Sequence, residues 1–188
     1  MMMFNYKNYR IHLIIAISWL ILFTFNYYLL APLAYKSHIN FIFLPAGLRI
    51  AFATIFRLEA TIGLFIGSLL TGYFFLEDQY QSNILVFALL STFSPIAAVY
   101  TVELFNNIGK QCEYLTIYSA IAISVVYASY CSFFHNFYVF IKYDLIYQEF
   151  LIDFAAMFFG DLSGAFIFLS ILAILRKKIV NFFMNYNH

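Results

Sequence analysis

The sequence predicts an all-α integral membrane protein: a bundle of six transmembrane helices, both termini cytoplasmic, with a broken start to helix two. Three observations carry this. The 188 residues are 64% hydrophobic and only 10% charged, where a soluble domain is about one quarter charged. Mean hydropathy is +0.86, with 25 phenylalanines and 16 tyrosines. The apolar residues fall into six runs parted by polar breaks, and the basic residues gather in alternate breaks.

The first run covers 11–31 and follows a short basic tail, residues 1–10. It is far longer than the apolar core of a secretion signal, and no small-x-small cleavage site follows it, so it is expected to remain as a span. The second run covers 41–56 and contains FLPAGLRIAF. Pro45 lacks an amide proton and disfavours a helical residue before it, which predicts an extended lead-in at 41–44 and a helix beginning near Pro45. Gly47 permits a close approach by a neighbour. Irregular backbone at membrane depth is tolerated only against protein or a water-filled cavity, so a pocket beside helix two is expected.

The third run, 60–76, is separated from the second by Arg57-Leu58-Glu59 alone, which predicts a tight helical hairpin. Runs at 83–105, 115–141 and 150–175 follow, and the last leads into a basic C-terminal tail, residues 176–188. Helix is the expected element throughout, because a span must satisfy its own backbone hydrogen bonds, and about 20 apolar residues cross the hydrocarbon core.

Lys7, Arg10, Arg57, Lys110, Arg176, Lys177 and Lys178 fall on one side of this arrangement, and Lys36 and Lys142 on the other, beside Glu77, Asp78, Asp144 and Glu149. The positive-inside rule then makes both termini cytoplasmic, which agrees with an even number of crossings. A bacterial cytoplasmic (inner) membrane is the expected location. The net charge of +1 offers no basic stripe for nucleic acid. Cys112 and Cys131 give no zinc spacing and no CxxC motif, and on one helix they would stand roughly 28 Å apart. No metal site and no cofactor is indicated. No loop exceeds about ten residues and no catalytic set stands out, so a non-enzymatic role is expected.

Ionisable groups inside spans cost about 2.5–3.5 kcal/mol each at a helix centre. Arg49 and Asp161 fall at similar depths, about 12 and 16 Å from the outer side, and are opposite in sign. A buried Arg49–Asp161 pair would make both tolerable, as a clamp between helices two and six or as part of a pocket. His135 and Asp153 near outer helix ends, and Glu103 near an inner one, are expected to snorkel to the interface. Ser163 is expected to serve helix contacts. Gly63 and Gly67, and again Gly160 and Gly164, are four apart, a spacing that lets helix backbones meet closely.

FLPAGLRIAFATIFRLEATIGLFIGSLLTGYFF resembles the early helical pair of MASE1-type membrane sensor domains, and FFGDLSGAFIFLSIL resembles that family's G-D-x-x-G-bearing helix. Pro45 and Gly47 fall on the first motif, and Gly160, Asp161 and Gly164 on the second. The resemblance spans residues 41–175 and implies a sensor. Such domains usually precede a signalling output, and only thirteen residues follow helix six here, so a signal is expected to pass by helix contacts to a partner membrane protein or a second copy. The expected pocket is lined by Pro45, Gly47, Arg49 and Asp161. Two other roles fit the same residues: a small-molecule (vitamin-like) binding subunit of a transporter, and a purely structural subunit of a larger membrane assembly.

Overall fold

A computed structural model describes residues 9–36, 39–106 and 117–186, with side chains through Arg176. The chain is almost entirely helical. α1 spans Tyr9–Leu29, α2 Pro45–Phe56, α3 Ala60–Phe75, α4 Asp78–Gln81, α5 Ile84–Asn106, α6 Ile117–Lys142 and α7 Tyr147–Tyr186. Five stretches are long and apolar enough to cross a membrane: Tyr9–Leu29, Pro45–Phe75, Ile84–Phe105, Ile117–Lys142 and Tyr147–Arg176. Dozens of large apolar side chains, among them Ile21, Leu104 and Phe159, face outward. Such a surface suits lipid, and the protein is an all-α membrane-type bundle.

The second stretch folds back on itself. Leu44 donates its backbone N–H to Asn26 Oδ1 at 2.9 Å, which sets the start of α2 beside the end of α1. Phe75, at the end of α3, meets Tyr27 at 4.9 Å between ring centroids, and so lies at that same end of the bundle. The reversal is made by the 3-10 turn Arg57–Glu59, where Arg57 adopts φ 55°. Arg57 pairs there with Glu103 of α5, so Glu103 is anchored to the turn and does not snorkel. α2 is buried on nearly every side. Ala46, Ile50 and Ala53 join a core with Val99, Ile123 and Tyr127, and Leu48 joins a second with Ile15, Trp19 and Leu64.

Between α1 and α2 lie a 3-10 turn, Ala31–Leu33, and a small antiparallel pair, β1 (Ala34–Lys36) with β2 (Ile39–Asn40). This strand pair was not expected. It forms where the backbone leaves the turn extended at Ala34 and runs on towards α7. The segment after β2 then lies across the glycine face of α7. Phe43 donates its N–H to the Gly160 carbonyl at 3.0 Å, and Ser163 Oγ donates to the Phe41 carbonyl at 2.9 Å. A Cβ on Gly160 would stand 1.8 Å from the Asn40 carbonyl oxygen. Gly160 and Gly164 therefore seat the end of β2 and the irregular segment after it, while Gly63 and Gly67 meet Ile15 and Trp19 of α1.

Helix starts and turns fall close to expectation, with one difference at the chain's end. α7 continues as helix to Tyr186, because nothing between Ala165 and Tyr186 is a proline or glycine to stop it. Residues 176–186 are thus no separate tail. Cys112 lies outside the described residues, as do Lys7 and Lys110.

Asp153, on the first turns of α7, is 3% exposed and is held by Lys36 of β1, with Nζ 2.6 Å from Oδ1 and 2.7 Å from Oδ2. It is paired rather than snorkelling. Partial burial works against the Lys36 charge, but the bond to Asp153 outweighs it and holds the ammonium above its usual 10.5. With the folded value raised, this contribution is complete below the unfolded value and disappears as pH climbs through the folded one. The Lys36 side chain is 39% exposed, so Lys36→Met should lower stability by only about 1 kcal/mol at neutral pH. Denaturant melts of wild type and variant should converge once lysine is deprotonated; a gap that persists there would show that the contact does not act through charge.

Candidate functional site

Between the ends of α1, α3 and α6 and the starts of α2, α5 and α7 lies a cavity of about 150 Å³. In an apolar setting that volume admits a benzene-sized molecule. Its walls are aromatic, with Phe23, Phe43, Phe75 and Phe87, but its interior is studded with polar side chains.

Arg49 enters from α2 and is 5% exposed. Its Nη1 donates to the Tyr127 hydroxyl at 2.9 Å and lies 3.8 Å from the Cys131 sulfur. Its guanidinium carbon stands 4.1 Å from the Trp19 ring centroid and 5.6 Å from that of Phe43. Trp19 is fixed in turn by its Nε1–H, which donates to Thr71 Oγ1 at 3.2 Å. Arg49 is thus held by a phenol and two ring faces, the arrangement of a desolvated cation–π contact worth about 2 kcal/mol. None of these partners carries negative charge.

Asp161 lines the same cavity from α7 at 2% exposure. The expected Arg49–Asp161 ion pair is not made. Lys36–Asp153 and Arg57–Glu103 are carboxylate–cation pairs of this bundle, and neither involves Arg49 or Asp161. The register of α6 places Tyr127 and Cys131 against Arg49 instead. Asp161 Oδ2 and Arg49 Nε are both buried without a hydrogen-bond partner, and so are Asn26 Nδ2 and Ser68 Oγ. All four residues line this one cavity. Buried polar atoms are almost always paired, and each orphan costs about 1–3 kcal/mol. The four residues that carry these atoms come from α1, α2, α3 and α7 and line one cavity, where a polar occupant such as water could satisfy them.

His135 is also here, part-buried on the cavity wall. Its Nδ1 is 2.9 Å from the Cys131 carbonyl, which can only accept, so Nδ1 carries the proton. In the neutral ring Nε2 then faces the Ser91 hydroxyl of α5, 3.2 Å away. The ring stacks on Phe87 at 5.8 Å and 6°. Pro95, inside α5, leaves the Ser91 carbonyl without its usual helical donor beside the cavity.

Of the four residues expected to line a pocket, Arg49 and Asp161 do so. Pro45 and Gly47 do not: Pro45 is buried at the start of α2, and Gly47 faces the Phe168 side chain, 2.6 Å from where its Cβ would be. Sequence reasoning passed over Asn26, Ser68, Trp19 and Tyr127. Asn26 did carry a signal, a lone amide near the end of an apolar run, and Trp19 is the single tryptophan of the chain. Tyr127 is one of 16 tyrosines and carried none.

No protein-family model, curated protein or solved structure matches this chain.

Proposed function

We propose that this chain is a non-enzymatic membrane sensor or accessory subunit that binds a small molecule in the Arg49–Asp161 cavity and passes on its occupancy through helix contacts with a partner membrane protein. The observation that carries this is the convergence of four unpartnered buried polar atoms on one cavity. A clamp built for stability would have paired Arg49 with Asp161 and left nothing over. The resemblance to MASE1-type sensor domains rests on FLPAGLRI and GDLSG, and it gains physical sense from their contact: the segment after β2 lies in the groove of Gly160 and Gly164.

In this reading the Pro45–Phe75 stretch crosses twice, giving six crossings with both termini in the bacterial cytoplasm. Arg10, Arg57 and Arg176 then lie inside, and the cavity opens at the outer end beside Lys36 and Asp153. A ligand arriving from outside would meet the strand pair and the lead-in to α2 first, since Ile39, Asn40 and Phe43 form part of the cavity wall. An outward-opening site equally suits the capture subunit of a transporter, which is the second reading.

Native mass spectrometry of the tagged protein, drawn from its own membranes in mild detergent, tests both. A bound small molecule together with a stoichiometric signalling partner is the expected result. A bound molecule with an energising transport partner would favour the capture subunit. Ser68→Phe, which fills the cavity, should abolish the bound mass; a preparation without any bound molecule, unaltered by Ser68→Phe, would overturn the binding reading.

A further inference from the structure

The charge layout of the cavity narrows what it takes, on the premise that it is a ligand site at all. Arg49 and Asp161 are both nine-tenths or more buried, both line the space, and neither is ion-paired. Water in the cavity would satisfy their hydrogen bonds but would bring no counter-charge. The two groups act on each other's charge across the cavity but make no direct ion pair, and in a low-dielectric interior that partial compensation leaves a cost of several kcal/mol. A neutral ligand would leave that cost in place, and a ligand of one sign would relieve one group only.

We infer that the cavity takes a small α-amino acid zwitterion with an apolar side chain, its carboxylate at Arg49 and Asn26 and its ammonium at Asp161. The orphaned atoms match this polarity one by one. Arg49 Nε–H and Asn26 Nδ2–H are donors without acceptors, the pair a carboxylate requires. Asp161 Oδ2 is an acceptor without a donor and calls for an N–H, which a quaternary ammonium does not offer. Ser68 Oγ bonds either end. The side chain of the ligand then lies against Phe23, Phe75, Phe87, Val139 and Met157, which supply apolar walls and no further charge. The space of about 150 Å³ limits the whole ligand to little more than the bulk of one ring, which favours an aliphatic side chain over an aromatic one.

The test uses the full-length protein in lipid nanodiscs, with binding read by isothermal titration and by melting temperature. The probes are L-leucine and L-phenylalanine, with 4-methylpentanoate and 3-methylbutylamine as leucine halves that each lack one charge, and benzamide as a neutral ring. One of the amino acids is expected to bind at least tenfold more tightly than either half-molecule. Asp161→Asn should remove that advantage while leaving the weak binding of 4-methylpentanoate in place. The comparison on the unaltered chain needs no variant to fold. If a half-molecule or benzamide binds as well as the amino acids, the zwitterion is wrong and the binding reading stands. If no probe binds, the zwitterion is wrong; should the protein from native membranes also hold no small molecule, the binding reading falls with it.

Discussion

Gly164→Ala is expected to lower folding stability by about 3 kcal/mol, the upper end of what forcing a methyl group into a filled core costs. Its Cβ would stand 2.0 Å from the Phe43 carbonyl oxygen, 2.2 Å from the Phe43 carbonyl carbon and 2.7 Å from the Leu44 nitrogen. These are backbone atoms and have little room to move. Phe43 N–H is bonded to the Gly160 carbonyl and Leu44 N–H to Asn26, so any retreat breaks a buried hydrogen bond. Gly72→Ala is the matched control. Its Cβ would meet the Ile84 Cγ2 methyl at 2.9 Å, the end of a side chain that turns aside. Alanine also gains about 1 kcal/mol over glycine within a helix, so that variant should be close to neutral. Reversible unfolding in mixed micelles with added denaturing detergent measures both. A Gly164→Ala protein as stable as Gly72→Ala would mean that the lead-in to α2 is not seated on α7.

Arg49→Met should leave the fold at least as stable as wild type, by about 1 kcal/mol or more, while abolishing ligand binding. Methionine keeps most of the volume beside Trp19 and removes a buried charge that makes no direct ion pair; hydrophobic replacement of buried charges is often neutral or stabilising. The Tyr127→Phe variant should do the opposite. It keeps the charge and removes the one oxygen that accepts from Arg49 Nη1 among the described residues, at a cost of about 1.5–3 kcal/mol. The two variants separate a charge kept for a ligand from a charge kept for the fold. Were Arg49 half of a structural pair with Asp161, Arg49→Met would strand the carboxylate and cost about 3–5 kcal/mol. Melting curves and leucine titrations on both proteins decide the matter, and an Arg49→Met protein of sharply reduced stability would restore the clamp.

Much of the local architecture was legible in the residues. Pro45 does begin α2, although Leu44 before it is already helical (φ −52°, ψ −35°) because the Phe43 and Leu44 carbonyls accept from Ala46 and Gly47, and Arg57-Leu58-Glu59 does turn the chain back. Both G-x-x-x-G pairs do serve close approaches, although Gly160 and Gly164 receive the irregular lead-in to α2 and not a neighbouring helix. The small strand pair before α2 escaped notice because its five residues are too few to show a pattern. At the site, the sequence pointed to Arg49 and Asp161 by the cost of burying them, then joined them by depth and sign alone. Depth along a helix follows from residue number, but the direction in which a side chain points depends on how each helix is rotated. In this bundle no polar face marks that rotation, because lipid and core are equally apolar.

By itself, then, the sequence determined that the chain is a bundle of apolar helices, where most of them start and turn, and which two charges are too costly to be incidental. These follow from composition and from the chemistry of proline, glycine and ions in short stretches of chain. Only the tertiary structure decided that Arg49 lies against Tyr127, 78 residues away, that Asp153 is held by Lys36, and that Asn26, Ser68, Arg49 and Asp161 line one cavity with one unpartnered polar atom apiece. Those facts depend on the mutual rotation of the helices, which is set by van der Waals fit among groups far apart in the chain and leaves no periodic trace in any one of them.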